Sequence, residues 1–298
     1  MDELFPFDNR WAGFFAAAKR LRGYDLAVIL HGNEPQATPL AYLSGARYIF
    51  KLPNDNEWNF LLTNQTPRLG WQEMGHGLDQ RLEVVRLAGA PGPFDRRMIV
   101  PRHEDGERLV EERLQRLGWQ HARLVALQPG ASTNSRRWPA GRFVEAAQRL
   151  LVANGALKFV ITGSPREREL CMRIAEAINA SSATKRLLAW VSAGDLPLRA
   201  LPALLNRAQV LITGDTGPMH LAVAVGTPVV ALFAVSNPAR SGPAYDLGRH
   251  VVIRKWRTCD PCLSKRCPYA EPLCMNNIQV DEVVTATQQV LRQHDSPN

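Results

Sequence analysis

The stretch Val210-Leu211-Ile212-Thr213-Gly214-Asp215-Thr216-Gly217-Pro218-Met219-His220 passes from a continuous apolar run, through a turn flanked by glycines, into helix-forming residues. An apolar run without alternation is that of a strand buried on both faces, the condition of a parallel sheet covered by helices. Glycine lets the backbone turn sharply and lets another group come close to it. Strand, glycine turn and helix in that order make the repeating unit of a doubly wound α/β domain.

Working outward, the same unit recurs. Apolar runs stand at Leu124–Leu127, Phe159–Thr162, Leu187–Val191, Val229–Phe233 and Val251–Ile253, separated by helical segments roughly every 20 to 35 residues. The helices carry start and stop signals. Ser164-Pro165-Arg166-Glu167 is a capping box with proline at the first helical position, which predicts a helix from Pro165 to about Ala180. Asp195 and Pro197 open a short helix, and Asp215 to Pro218 open another that ends at Gly226.

The first half is more broken: a helix over Trp11–Leu21, a strand over Leu26–Leu30, the loop His31-Gly32-Asn33-Glu34-Pro35, and helices over Gly77–Leu87 and Glu104–Leu117. Gly118 marks a seam. The expected organisation is therefore a Rossmann-like domain over 1–118, a second over 119–278, and a terminal segment over 279–298 whose helix runs from about Val280 to Gln293.

Bulk properties narrow the function. A chain of 298 residues can bury two cores of moderate size, and 45% hydrophobic with 21% charged residues is an ordinary globular composition. No apolar stretch approaches the roughly 20 residues of a membrane-spanning helix. The start Met1-Asp2-Glu3-Leu4-Phe5 is not that of a secretory signal, which predicts a cytoplasmic location. A formal charge of +8 favours an anionic partner. The basic residues are scattered rather than clustered with aromatics, which argues against nucleic acid.

Ligands of open α/β sheets bind beyond the carboxyl ends of the strands. Three such ends are small and polar: Gln128-Pro129-Gly130-Ala131-Ser132-Thr133, Thr162-Gly163-Ser164, and Thr213-Gly214-Asp215-Thr216-Gly217. Their free backbone amides suit phosphate. Asp215 has two readings, a helix cap or a ligand contact, and His220 either packs in the first helical turn or faces the ligand. The tripeptide Asp215-Thr216-Gly217 also matches the aspartic-protease signature, but that chemistry needs paired carboxylates in another setting. In Ser132-Thr133-Asn134-Ser135-Arg136-Arg137-Trp138-Pro139, Arg136 is the candidate clamp for a leaving phosphate, whereas Arg137 and Trp138 read as structural. Cys259, Cys262, Cys267 and Cys274 are the ligands if a metal is present. Their irregular spacing favours free thiols packing a tight loop instead.

Taken together, these motifs resemble glycosyltransferase family nine, the heptosyltransferases. The resemblance rests on Pro129 to Ser132, Arg136 to Pro139, Gly163-Ser164-Pro165, Asp215 to Ala222, Gly226 to Phe233 and the cysteine segment. In the first half it rests on Tyr24 to Asn33 and Leu43-Ser44-Gly45-Ala46-Arg47. It implies the B-type glycosyltransferase fold, with two Rossmann-like domains facing a cleft and the last helix packing back on the first. It also implies inverting transfer of a heptose from ADP-heptose to a phosphorylated lipopolysaccharide core or lipid A acceptor at the inner-membrane surface, without a required cofactor.

Donor-side residues implied are Ser132, Thr133, Arg136, Gly163, Asp215, Thr216, Gly217, Pro218 and His220, with His31 and Asn33 toward the acceptor. Arg136 stands where the family usually has lysine. The family's opening strand and its general-base aspartate have no counterpart here, so the first domain is expected to be incomplete and the base to lie before Met1. Two rivals follow: an inactive nucleotide-sugar-binding remnant, and a cysteine-metal protein that binds nucleic acid.

Overall fold

The structure, a computed structural model, describes residues 3, 5, 11–30, 35–53, 57–66, 68, 73, 75–182, 186–256, 258–259 and 267–295. It divides into two compact units, Met1–Arg96 and Arg97–Asn298.

The first unit holds helix α1 (Trp11–Arg20), strand β1 (Leu26–Ile29), α2 (Ala37–Leu43), β2 (Tyr48–Lys51) and α3 (Gly77–Leu87). β1 and β2 pair in parallel, Leu26 opposite Tyr48 and Ile29 opposite Lys51. Among the described residues this two-stranded sheet is the only one in the unit. A small core of Ala41, Ile49 and Leu62, with Ala27 and Ile29 against it, fastens α2 to one face.

The second unit runs α4 (Glu104–Leu117), β3 (Arg123–Gln128), α5 (Ala140–Ala153), β4 (Leu157–Ile161), α6 (Arg168–Ala180), β5 (Ala189–Val191), α7 (Leu201–Arg207) and β6 (Ala208–Gly214). It continues with α8 (Gly217–Ala224), β7 (Val229–Phe233), α9 (Pro238–Ser241), β8 (Val251–Arg254), α10 (Leu273–Asn276) and α11 (Val280–Asp295). All six strands expected in this half form. They make one parallel sheet in the order β5-β4-β3-β6-β7-β8, which is the doubly wound order with its reversal between β3 and β6.

Two cores flank the sheet. One face packs α5, α6 and α11 through Phe143, Leu150, Ile174, Ile178, Val283 and Val290. The other packs α4, α7 and α8 through Val110, Leu114, Leu204, Leu205, Met219 and Val223.

One expectation is corrected. The division between units falls at Arg96/Arg97 rather than at 118, because α4 places Val110 and Leu114 in the same core as Leu204 of α7. Gly118 is a helix terminus, not a seam: it caps α4 in the left-handed conformation, φ 67°. The terminal helix α11 sets Val283, Ala286, Val290 and Leu291 into the core of the second unit. Its apolar stripe matches α5 and the flank of the sheet, each fully buried aliphatic contributing about 1.5 to 3 kcal/mol.

Candidate functional site

At the carboxyl edge of the sheet, where the strand order reverses, lies a cavity of about 590 Å³. The chain's return directions diverge at such a point, so the two flanking loops part and leave a crevice. The loops after β3, β4, β5 and β6 all contribute to it: Ser132 and Arg136, Gly163 and Ser164, Ser192, and Asp215 through Pro218 with His220.

The loop after β3 is held from behind. Trp138 is buried, donates from its indole to the Ile278 carbonyl at 3.0 Å, and meets Phe143 edge-on at 5.0 Å between centroids. Arg137 donates from Nη2 to the Ala131 carbonyl at 2.9 Å, so its charge closes the loop rather than facing a ligand. A short 3-10 turn, Asn134–Arg136, then projects Arg136. Its Nη1 lies 3.4 Å from the Asp215 carboxylate, which is 7% exposed. A Cβ on Gly214 would stand 2.5 Å from the Arg136 carbonyl oxygen, so the glycine is what lets the two loops touch.

Asp215 is not the helix cap that one reading made it. The cap position of α8 is Thr216, which lacks a side-chain bond to the helix; its hydroxyl pairs instead with Thr213 at 2.9 Å. The first amides of α8 therefore lack a side-chain acceptor from the cap, and they begin at the cavity wall. Gly217 has open space where a Cβ would stand, so no described residue occupies that side of its backbone.

Of the donor-side candidates, Ser132, Arg136, Gly163, Asp215, Thr216, Gly217, Pro218 and His220 come together here. Thr133 does not line the cavity; its hydroxyl meets Ser135 at 3.1 Å. His31 and Asn33 lie outside the described residues, as does Cys262. Among the described residues Cys259 and Cys267 form no disulfide. Among the described residues no group of three or more histidine, cysteine or carboxylate side chains could hold a metal ion.

Sequence reading missed Glu167, Ser192 and an apolar wall of Leu196, Leu198 and Leu201. Ser192 follows β5 directly, and the strand-end rule applied to that run would have found it. Glu167 was read as a capping residue only. It does cap: its carboxylate accepts from the Ser164 amide at 2.8 Å and the Ser164 hydroxyl at 2.9 Å, while also bordering the cavity. Behind Gly163, burial pushes the Cys171 thiol up to about 12, which keeps it an unreactive packing group.

A parallel sheet in this order, with a glycine turn, a helix start and an arginine at its reversal, defines a Rossmann-like unit. Residues 97–272 match glycosyltransferase family 9 (heptosyltransferase). The chain is 25% identical over 171 residues to lipooligosaccharide heptosyltransferase 2 of Campylobacter jejuni, covering 57% of this chain and 51% of that protein. It is 24% identical over 294 residues to the lipopolysaccharide core heptosyltransferase OpsX of Haemophilus influenzae, covering 94% and 80%. The solved structure of E. coli ADP-heptose LPS heptosyltransferase II shares its fold at TM-score 0.73 and 18% identity, over 99% of this chain and 85% of that one. The chain belongs to glycosyltransferase family 9. It spans about half the length of the first of these relatives and four-fifths of the second.

Proposed function

We propose that the chain is an inverting glycosyltransferase that takes a heptose from ADP-heptose and passes it to a lipopolysaccharide core acceptor. The observation that carries this reading is the cavity at the reversal of the sheet, where Arg136 and the start of α8 face the same space. A diphosphate there would meet a guanidinium on one side and helix amides on the other. Glu167 and Asp215 add carboxylates able to accept from sugar hydroxyls, and the wall of Leu196, Leu198 and Leu201 suits a flat base.

In this reading an acceptor hydroxyl attacks the anomeric carbon from the face opposite the diphosphate. The carbon–oxygen bond to the diphosphate breaks as the new glycosidic bond forms. The departing ADP gathers negative charge, which Arg136 and the α8 amides stabilise more strongly than they do the intact donor. The attacking hydroxyl gives up its proton to a base contributed from the acceptor side. The formal charge of +8 favours both anionic substrates. The acceptor belongs at the inner-membrane surface, which places the protein in the cytoplasm in contact with that membrane. Among the described residues no helix is long and apolar enough to cross it.

Calorimetric titration with ADP and UDP, followed by a transfer assay with ADP-heptose and a heptose-deficient core acceptor, tests this. ADP binding with transfer of heptose is the expected result. Failure to bind either nucleotide removes the reading.

A further inference from the structure

The apolar wall of the cavity is not self-supporting. It follows β5, an edge strand, and begins with a tight turn in which the amides of Asp195 and Leu196 both donate to the Ser192 carbonyl at 3.0 Å. Gly194 takes a left-handed conformation there, φ 73°. Two arginines grip this turn from outside the cavity. Arg168 of α6 donates to the Ala193 carbonyl at 2.5 Å. Arg113 of α4 pairs with the Asp195 carboxylate and lies over the Trp190 ring, 5.8 Å from its centroid. The Trp190 indole donates to the second Asp195 oxygen at 3.0 Å, so that carboxylate is held at both ends. Arg113 and Asp195 are only 29% and 24% exposed, which makes the contact firmer than an open surface pair.

A second contact joins the same two elements. Gly106 of α4 lies so close to the segment after the turn that a Cβ would stand 2.6 Å from the Arg199 carbonyl oxygen and 3.1 Å from the Ala200 Cα. Arg199 adjoins Leu198, which lines the cavity and is 80% exposed. Helix α4 thus braces the wall at two points, one electrostatic and one steric. Neither Gly106, Arg113 nor Asp195 lines the cavity.

We propose that Arg113 and Asp195 are positioning residues for the nucleotide base, acting through the Ser192–Leu201 wall that α4 braces. This rests on the reading of the cavity as a nucleoside-diphosphate site and assigns its base end. Arg136 and α8 stand at the ends of β3 and β6, whereas this wall follows β5, so the brace and the diphosphate clamp are separable. Loosening the brace should degrade recognition of the base and leave recognition of the diphosphate intact.

The experiment titrates the full chain with ADP, UDP and inorganic pyrophosphate, comparing the native protein with Asp195→Ala, Arg113→Met, Arg113→Lys and Gly106→Ala. Asp195→Ala and Arg113→Met are expected to weaken ADP about tenfold and to erase the ADP-over-UDP preference, with pyrophosphate affinity unchanged. Arg113→Lys keeps the charge beside Asp195 and should recover most of the preference. Gly106→Ala, which pushes the wall without touching any charge, should reproduce the loss. An unchanged ADP-to-UDP ratio in Asp195→Ala and Arg113→Met overturns the proposal. A parallel fall in ADP and pyrophosphate also overturns it, since that is general damage to the unit. A native protein that binds pyrophosphate but shows no preference between ADP and UDP overturns it as well. If the native protein binds none of the three, the reading of the cavity falls together with this inference.

Discussion

The Arg136 guanidinium stands 3.4 Å from the Asp215 carboxylate, so the loop after β3 and the turn after β6 are tied by opposite charges. The pair lies on the wall of the cavity, and Asp215 is almost wholly buried. A diphosphate arriving there finds a cation whose own counter-ion is close by. That lowers the cost of holding Arg136 in place without ligand.

Replacing Arg136 by Ala is therefore expected to weaken ADP binding by roughly 1.5 to 3 kcal/mol, the value of a charged hydrogen bond in a partly buried site. Part of that loss comes from leaving Asp215 unpaired beside an anion. The double variant Arg136→Ala with Asp215→Asn should accordingly bind ADP better than Arg136→Ala alone. A calorimetric double-mutant cycle reads the difference, and strict additivity would show that the two residues act independently.

The two glycines around this turn should separate folding from binding. Gly214→Ala sets a methyl 2.5 Å from the Arg136 carbonyl, a backbone atom that cannot swing aside, so it should lower the melting temperature and the ADP affinity together. Gly217→Val has free space at its Cβ and should melt like the native chain while losing ADP by obstructing the approach. Matched thermal scans and titrations of both variants decide this. Equal melting temperatures with equal affinities would mean that the cavity is not where ADP binds.

Gly130 offers a third case. A methyl there would collide with the Glu167 carboxylate, the far end of a side chain otherwise held by the amide and hydroxyl of Ser164. Gly130→Ala should free the 3-10 turn Pro165–Glu167, which leads into α6, from its capping box at a cost of about 1 kcal/mol. Glu167→Ala should cost a similar amount, and the double variant little more than either. Urea denaturation midpoints of the three measure it.

Stability should also depend on pH through His250. Burial, aided by neighbouring Arg249, lowers the pKa of this imidazole below its ordinary 6.5. Its Nδ1 accepts from the Val229 amide at 3.3 Å. A histidine held neutral binds fewer protons folded than unfolded near that pH, so its contribution is complete above about 6.5 and is lost as the pH falls below it. The melting temperature should drop between pH 7.5 and pH 5, and His250→Asn, which keeps an acceptor for Val229, should drop less. Equal slopes in the two proteins would assign the acid sensitivity elsewhere.

The second unit was legible because its strands are continuous apolar runs whose ends are glycine-rich. β6 and β7 occupy Ala208–Gly214 and Val229–Phe233, bounds that differ little from those read from the residues. The first unit was harder for identifiable reasons. β2 ends on Lys51, a residue 1% exposed whose ammonium has no hydrogen-bond partner among the described residues, and a lysine reads as surface. α2 carries Pro39 within its first turn and lacks a side-chain cap, so neither start signal was visible. The seam was misplaced because Gly118 is a strong helix stop, while the linker-like Ala90-Pro91-Gly92-Pro93 just before the true division was passed over. In the site, backbone-based features were readable as motifs. The Arg113 brace was not, because its members are 82 residues apart and meet only through packing.

Because α11 folds into the same core as β3 and β6, everything from Arg97 to the last described residue belongs to one uninterrupted stretch of chain. A gene fusion joined between residues 96 and 97 would cut no strand of the six-stranded sheet and leave both of its cores whole. The second unit is in that sense portable: one crossover would be enough to graft it behind a different first unit, as a route by which new pairings could arise from old parts.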